Sequence, residues 1–468
     1  MGHALTRARR PGAAATTAAA IALLTAASVV RAAPPKPATP AKPAPAPASR
    51  LQFEKAPRTR PVLARAHDPS VVLRASRALT VLAVVPGDEA KEGGGGHGGG
   101  GGHGGAAGRL VAATSQDGGD TFGDPVPVSA PGAAVTGAGE NGPRLVLGER
   151  GMVALWEQRR PDGGSDLMAS GSSMGSQWSA PVRVTDKEAA STNSYAYLHA
   201  APNGDVYAAW LDGRERATGT LDVYLARSTD AGKTWGRNVL VAKGACPCCR
   251  PVVAADAAGR AWVAWRHVYP GDIRDIAMAA STDGGATFGA PARVAVDNWK
   301  ISGCPHTGPA LAVVGGNLHL CWYSESTGGK AMGLRWSVSR DGGRTFPAPT
   351  LLSRGIYDPN HPALTTTPTG RILVAFQGRD PKVEDGWGPT RVYVADLTTP
   401  SAAARGAVMV PGAYGAASYP TVHFDTAGRL WLLWTARKED GSASVMLTRA
   451  RERDPATSTA SAAAAPGR

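Results

Sequence analysis

From about residue 65 to 450 the chain is a succession of short apolar runs, each broken by Gly, Asp, Asn or Pro. The runs are too short for amphipathic helices and are rich in Val, Ala, Leu and Trp, so they read as strands. The segment after Cys249 shows the pattern best. Arg250 to Asp256, Ala261 to His267, Asp275 to Ser281 and Ala292 to Val296 give four strands, A to D. They are apolar on both faces rather than alternating, as expected of sheets that stack on one another. Strand B closes on an aromatic in six such units, at Trp156, Trp210, Trp265, Trp322, Phe376 and Trp434. An earlier unit has Leu79 to Val85 as its B strand, which brings the expected number to seven, with six as the alternative.

An eight-residue turn punctuates the repeat. Ser281-Thr282-Asp283-Gly284-Gly285-Ala286-Thr287-Phe288 recurs around Asp117, Asp230 and Asp341, and a worn copy centred on Ser173 ends at Trp178. The Asp carboxylate suits the backbone amides of the turn, and the glycines supply left-handed backbone. The marks at 117, 173, 230, 283 and 341 lie 53 to 58 residues apart, and such a period implies one four-stranded supersecondary unit repeated in a closed array. The last unit stops after its third strand near Arg451. Leu51-Gln52-Phe53, ahead of the first unit, is predicted to supply the fourth and close the ring.

The turn resembles the Asp-box, or BNR repeat, of the sialidase superfamily, and the resemblance extends over most of residues 65–450. It implies an all-β propeller of four-stranded blades in which the boxes are structural and ligands meet the opposite face. Catalytic sialidases have six blades, and their Phe/Tyr-Arg-Ile-Pro signature is replaced here by His67-Asp68-Pro69-Ser70. An exo-sialidase of this kind clamps a sugar carboxylate with arginines and uses a tyrosine polarised by a glutamate, with a further acid. The residues at matching loops are Arg144, Arg250, Arg266, Tyr419, Glu325 and Asp68. Each of them also has a plain reading as a salt bridge between blades or a strand cap. No other hydrolase signature stands out, neither Gly-x-Ser-x-Gly nor His-Glu-x-x-His.

If the blades are laid out in this way, the D–A and B–C loops surround the mouth of the central channel. Two neighbouring D–A loops read Cys246-Pro247-Cys248-Cys249 and Cys304-Pro305-His306, with His361 one unit further on. Four thiols and imidazoles gathered there suit either two disulfides or a thiolate-rich metal site for zinc or copper; a redox dithiol is a third reading. Cys321, inside Leu318-His319-Leu320-Cys321-Trp322, reads as a buried apolar residue. His199, His319 and His423 fall in or beside strands and read as core. Tyr195, Tyr269, Trp299 and Trp387 could stack on sugar rings, and the Gly93 to Gly105 loop with His97 and His103 reads as a glycine linker.

Charge and the termini complete the picture. The net charge of +13 is concentrated at the start: residues 1–60 hold ten Lys/Arg against Glu54 alone, which leaves the other 408 residues near +4. That is no footprint for a nucleic acid. Arg7, Arg9 and Arg10 followed by an Ala-rich apolar run predict a signal peptide over 1–32, with a twin-arginine signal or a membrane anchor as competing readings. Residues 33–50 predict a Pro/Ala-rich spacer, 51–452 the propeller and 453–468 a disordered tail. The expectation is an exported, periplasmic or extracellular monomer with no membrane span in the mature chain, whose partner is a glycan or a metal. Whether it is an enzyme is left open by the sequence. A purely structural propeller with disulfide-stapled loops is the third possibility.

Overall fold

The computed structural model describes residues 51–53, 63–64, 66–74, 77–86, 108–136, 139–186, 191–215, 220–325, 332–367, 369–379, 388–412, 416–425 and 427–452. The segments read as signal peptide, spacer and tail lie outside them, as do His97, His103, Asp380 and Trp387. Among the described residues no helix is long and apolar enough to cross a membrane.

The protein is all-β, and each repeat is an antiparallel sheet. In the unit after Cys249 the strands are Val252–Ala255, Ala261–Tyr269, Ile273–Ser281 and Ala292–Arg293, paired in that order. The aromatics of the B strands are all fully buried, and the strands run two to four residues past them. In the sixth unit a single helical turn, Pro400–Ala403, stands where a box would be, capped by Thr399.

The core is shared between neighbouring sheets. Among the described residues, each of seven clusters of buried residues joins successive repeats. One of them packs Trp431, Leu433 and Leu447 of the last unit against Val71, Leu79 and Val81 of the first. Chain and ring therefore close on each other. Leu51–Phe53 pairs antiparallel with Ala443–Glu452, Leu51 opposite Glu452 and Phe53 opposite Ala450, so the N-terminal segment completes the last sheet as its sequence predicts.

The boxes fasten the outer turns. Ser281 Oγ donates to Asp283 Oδ1 (2.7 Å), the Thr287 amide donates to the same oxygen (2.9 Å), and Thr287 Oγ1 donates to Oδ2 (2.5 Å). Asp117, Asp230 and Asp341 repeat the pattern. These donors hold the Asp283 carboxyl well below the usual range. The box aromatics Phe122, Trp178, Trp235, Phe288 and Phe346 pack onto the clusters between sheets, so the turn is spent on structure.

Candidate functional site

Four A strands begin with the same distortion. Asp68, Tyr195, His361 and Tyr419 have φ of 52°, 55°, 52° and 51°. The strand register shifts across each of them. A non-glycine residue in this region costs about 1 kcal/mol or more, and a bulge re-aims the side chain it carries. Pro69, Pro362 and Pro420 follow three of the four, where a missing amide costs no ladder bond. The result is a cavity of about 140 Å³ lined by Asp68, Glu140, Arg144, Arg250, His361 and Tyr419.

Glu140 is the hub of this cavity. It is 4 % exposed. Its Oε1 accepts from His361 Nδ1 (2.7 Å) and lies 3.7 Å from Arg250 Nη1. Its Oε2 accepts the amides of Gly308 (3.0 Å) and Arg250 (3.3 Å). Burial opposes ionisation, but Arg250 and His361 outweigh it and bring the carboxyl down to about 2. The carboxylate can only accept, so His361 Nδ1 carries the proton. Gly308 is required by this approach, because a Cβ there would lie 2.2 Å from the Arg250 carbonyl oxygen. Arg144 donates to the Glu140 carbonyl (3.0 Å); burial, then the like charge of Arg250, pushes it down to about 9. Arg250 also lies over the Tyr197 ring, 5.4 Å from its centroid. Its Nε is buried with no hydrogen-bond partner among the described residues.

Tyr419 is stacked at a tilt on His361, ring centroids 4.5 Å apart, and its hydroxyl abuts Gly139. Burial, then the charges of Asp68 and Glu140, push its phenol up, away from the range of a nucleophile. Asp68 contacts His67 Nδ1 (2.6 Å), and its amide donates to Thr435 Oγ1 (2.9 Å).

The thiols form a second centre, back to back with the first. Cys246, Cys248 and Cys249 are buried. Their sulfurs are 3.6 Å (Cys246 to Cys248) and 3.8 Å (Cys248 to Cys249) apart. All five cysteines are free. Cys304 is exposed, and its sulfur groups with Cys248 Sγ and a His306 ring nitrogen, all within 4.8 Å of one another. Arg274 Nη1 donates to Cys246 Sγ (3.0 Å). The neighbouring thiols Cys248, Cys249 and Cys304, together with Arg274, hold Cys246 far below the ordinary thiol range against its burial. The same cluster pushes Cys248 and Cys304 up, and burial pushes up Cys249. The Arg274 guanidinium thus favours a thiolate at Cys246. This donor set could hold a soft metal.

The two centres share backbone. Cys249 faces the thiols and Arg250 the cavity. His306 belongs to the thiol group, while Thr307 Oγ1 accepts the His361 amide (3.4 Å) and Gly308 serves Glu140. Asp275 builds the loop that carries Cys304. It accepts the amides of Asp297, Asn298 and Trp299 (3.0, 2.9 and 3.1 Å) and pairs with Arg293.

Of the residues singled out in the sequence, Asp68, Arg144, Arg250 and Tyr419 converge on the cavity. Arg266 does not line it. Its guanidinium donates to the carbonyls of Thr307 (3.2 Å), Arg274 (2.8 Å) and Tyr323 (2.9 Å) and lies over Trp299. Glu325 is exposed and accepts from Tyr323 Oη (2.6 Å). Cys246, Cys248, Cys249, Cys304 and His306 gather as grouped, whereas His361 turns to Glu140. Tyr195 and Trp299 are buried, and Cys321 packs in the core. Glu140, Gly308 and Arg274's contact with sulfur were not assigned by the sequence. An acid lying alone in the loop before Asn141-Gly142-Pro143-Arg144 was the available signal for Glu140.

Comparison with known proteins agrees with the repeat. Residues 204–374 match the family described as BNR repeat-like domain. No curated protein matches the chain. Among solved structures, the polysaccharide lyase Uly1 is similar at 11% identity and a TM-score of 0.50, over 83% of this chain and 90% of that one. A protein of unknown function from Dyadobacter fermentans reaches 16% identity and a TM-score of 0.48, over 69% of this chain and 100% of that one. The Trypanosoma rangeli sialidase in complex with the inhibitor DANA reaches 12% and 0.44, over 86% and 60%. The fold is that of a β-propeller, and residues 204–374 are similar to the BNR repeat-like domain.

Proposed function

We propose that this propeller is an exported metal-binding protein whose loops 246–249 and 304–306 hold a soft metal, zinc or copper, at the mouth of a seven-bladed ring. The observation that carries the reading is sulfur spacing. Metal–sulfur bonds of about 2.3 Å place two sulfurs on one ion about 3.8 to 4.0 Å apart, tetrahedral or trigonal. The pairs at 3.6 and 3.8 Å come close to that without a metal. Such spacing is far too long for a disulfide and short enough that an ion could bridge the pair. The signal segment, the spacer and the propeller from residue 51 to 452 fit a periplasmic or extracellular monomer. Elemental mass spectrometry on untagged protein, purified from an exporting host without chelator, should find zinc or copper in the wild type and none in Cys246→Ala/Cys248→Ala. Metal-free wild type with a mass lower by the hydrogens of its bridges would instead make the loops disulfide-stapled.

A second reading is glycoside hydrolysis of sialylated or related acidic glycans, favoured by the cavity itself. Arg144 and Arg250 lie beside Asp68, Glu140 and Tyr419, and Arg250 keeps a buried donor unpartnered. An acidic sugar would satisfy that donor. Against it, Glu140 is already committed to Arg250 and His361, and Tyr419 is shifted away from nucleophilicity. Turnover of a fluorogenic sialoside by wild type, lost in Tyr419→Phe, supports this reading. Absence of turnover above the blank rejects it.

A further inference from the structure

The thiol centre contains two metal-ligand groups. Cys246, Cys248 and Cys249 form one, entirely buried. Cys248, Cys304 and His306 form the other, with Cys304 exposed. Within each group every donor atom lies within 4.8 Å of the others, and the groups share only Cys248. Five donors arranged as two overlapping triads supply three ligands to each of two ions, with one common sulfur between them. Building on the soft-metal reading, we infer that the centre is binuclear: two univalent copper ions, bridged by Cys248 Sγ, the inner on Cys246 and Cys249 and the outer on Cys304 and His306.

Coordination number and charge both select the metal. Structural zinc sites are almost always four-coordinate and tetrahedral, whereas soft thiolates select univalent copper. With three protein donors each, zinc would need a water as fourth ligand, and the inner triad is buried away from solvent. Four thiolates carry four negative charges. Arg274 donates to Cys246 Sγ, and the Arg266 cation acts on Cys249. Two univalent ions with these two guanidiniums bring the centre to neutrality. Two zinc ions would leave two positive charges in a largely buried site, which is costly. A single zinc on four sulfurs balances charge as well, but it needs all four at mutual distances of about 3.8 Å. Cys304 neighbours Cys246 as well, but the donors it groups with inside 4.8 Å are Cys248 and His306, and a site of four sulfurs alone makes no use of that imidazole.

Burial also ranks the two positions. The inner triad has no exposed member, and the outer one is reached through Cys304 and a half-buried His306. The outer ion exchanges with solution; the inner one is retained.

The test is anaerobic titration of metal-free full-length protein with univalent copper supplied as its acetonitrile complex, followed by desalting, elemental analysis and X-ray absorption at the copper edge. Two equivalents are expected, with sulfur-dominated three-coordination and a copper–copper scattering path. Cys304→Ser/His306→Ala should fall from two equivalents to one and lose that path. Cys304 is exposed and His306 half-buried, so the variant is expected to keep the wild-type circular dichroism. One equivalent of copper, or one of four-coordinate zinc in preference to copper, overturns the binuclear centre and leaves the soft-metal reading standing. Retention of no metal at all overturns both.

Discussion

Replacing Glu140 by glutamine is expected to destabilise the protein by about 3–5 kcal/mol at neutral pH, the range for a buried ion pair that loses one partner. The variant keeps the side chain's volume and one carbonyl oxygen, so the loss is charge rather than packing. Arg250 and Arg144 then share a buried cavity in which Asp68 is the remaining carboxylate, and Arg144 is already depressed to about 9 with Glu140 present. With the glutamine oxygen kept on the amides of Gly308 and Arg250, its NH2 would take the Oε1 position and confront the donors Arg250 Nη1 and His361 Nδ1. The effect is pH-dependent with a definite sign. Glu140's carboxyl is lowered in the folded state from 4.5 to about 2. Its contribution is therefore fully present above the unfolded value and is lost as pH falls through the folded one. Urea midpoints for wild type and Glu140→Gln should differ most above about pH 5 and converge towards pH 2. A gap that stays constant across that range would show that the charge is not what Glu140 contributes.

Glu140 also marks where sequence reading stops. The repeat was legible because one chemical device, an Asp accepting from Ser and Thr on a glycine turn, recurs in fixed register, and a local device leaves a local trace. The closing strand was legible because a ring with one strand missing leaves a single vacancy. The loops that gather Cys246, Cys248, Cys249, Cys304 and His306 followed from blade topology alone. Topology states which loops meet but not where their side chains point. His306 and His361 occupy equivalent loops, one repeat apart, and both have left-handed backbone. One groups with sulfurs and the other with Glu140, a difference set by the packing around each. Arg266 could be placed near the mouth, but not recognised as spent on three backbone carbonyls. Glu140 itself draws partners from residues 250, 308 and 361, so its role exists only once three other repeats are in place.

Deleting Leu51–Phe53 should open the ring. The segment pairs with residues 450–452 of the last strand, and Leu51 and Phe53 pack against the cluster that includes Leu432, Trp434 and Ala450. Two half-buried apolar side chains contribute about 1–1.5 kcal/mol each, half of full burial. A short run of strand hydrogen bonds adds about 1 kcal/mol per bond. Together these predict a loss of about 4–6 kcal/mol, well above that of Leu51→Ala, which removes only packing and should cost about 1 kcal/mol. The deletion should also change behaviour in kind. Leu63–Ala64 covers the same strand only at Val445 and Ser444, so the stretch from Ala450 to Glu452 becomes an unpaired edge. Such an edge templates association with other chains. Urea unfolding should report the lowered midpoint, and light scattering should report concentration-dependent association. If the midpoint is unchanged and the protein stays monomeric, closure rests on the clusters between sheets alone. The pairing of the chain's two ends would then follow from the ring and not hold it shut.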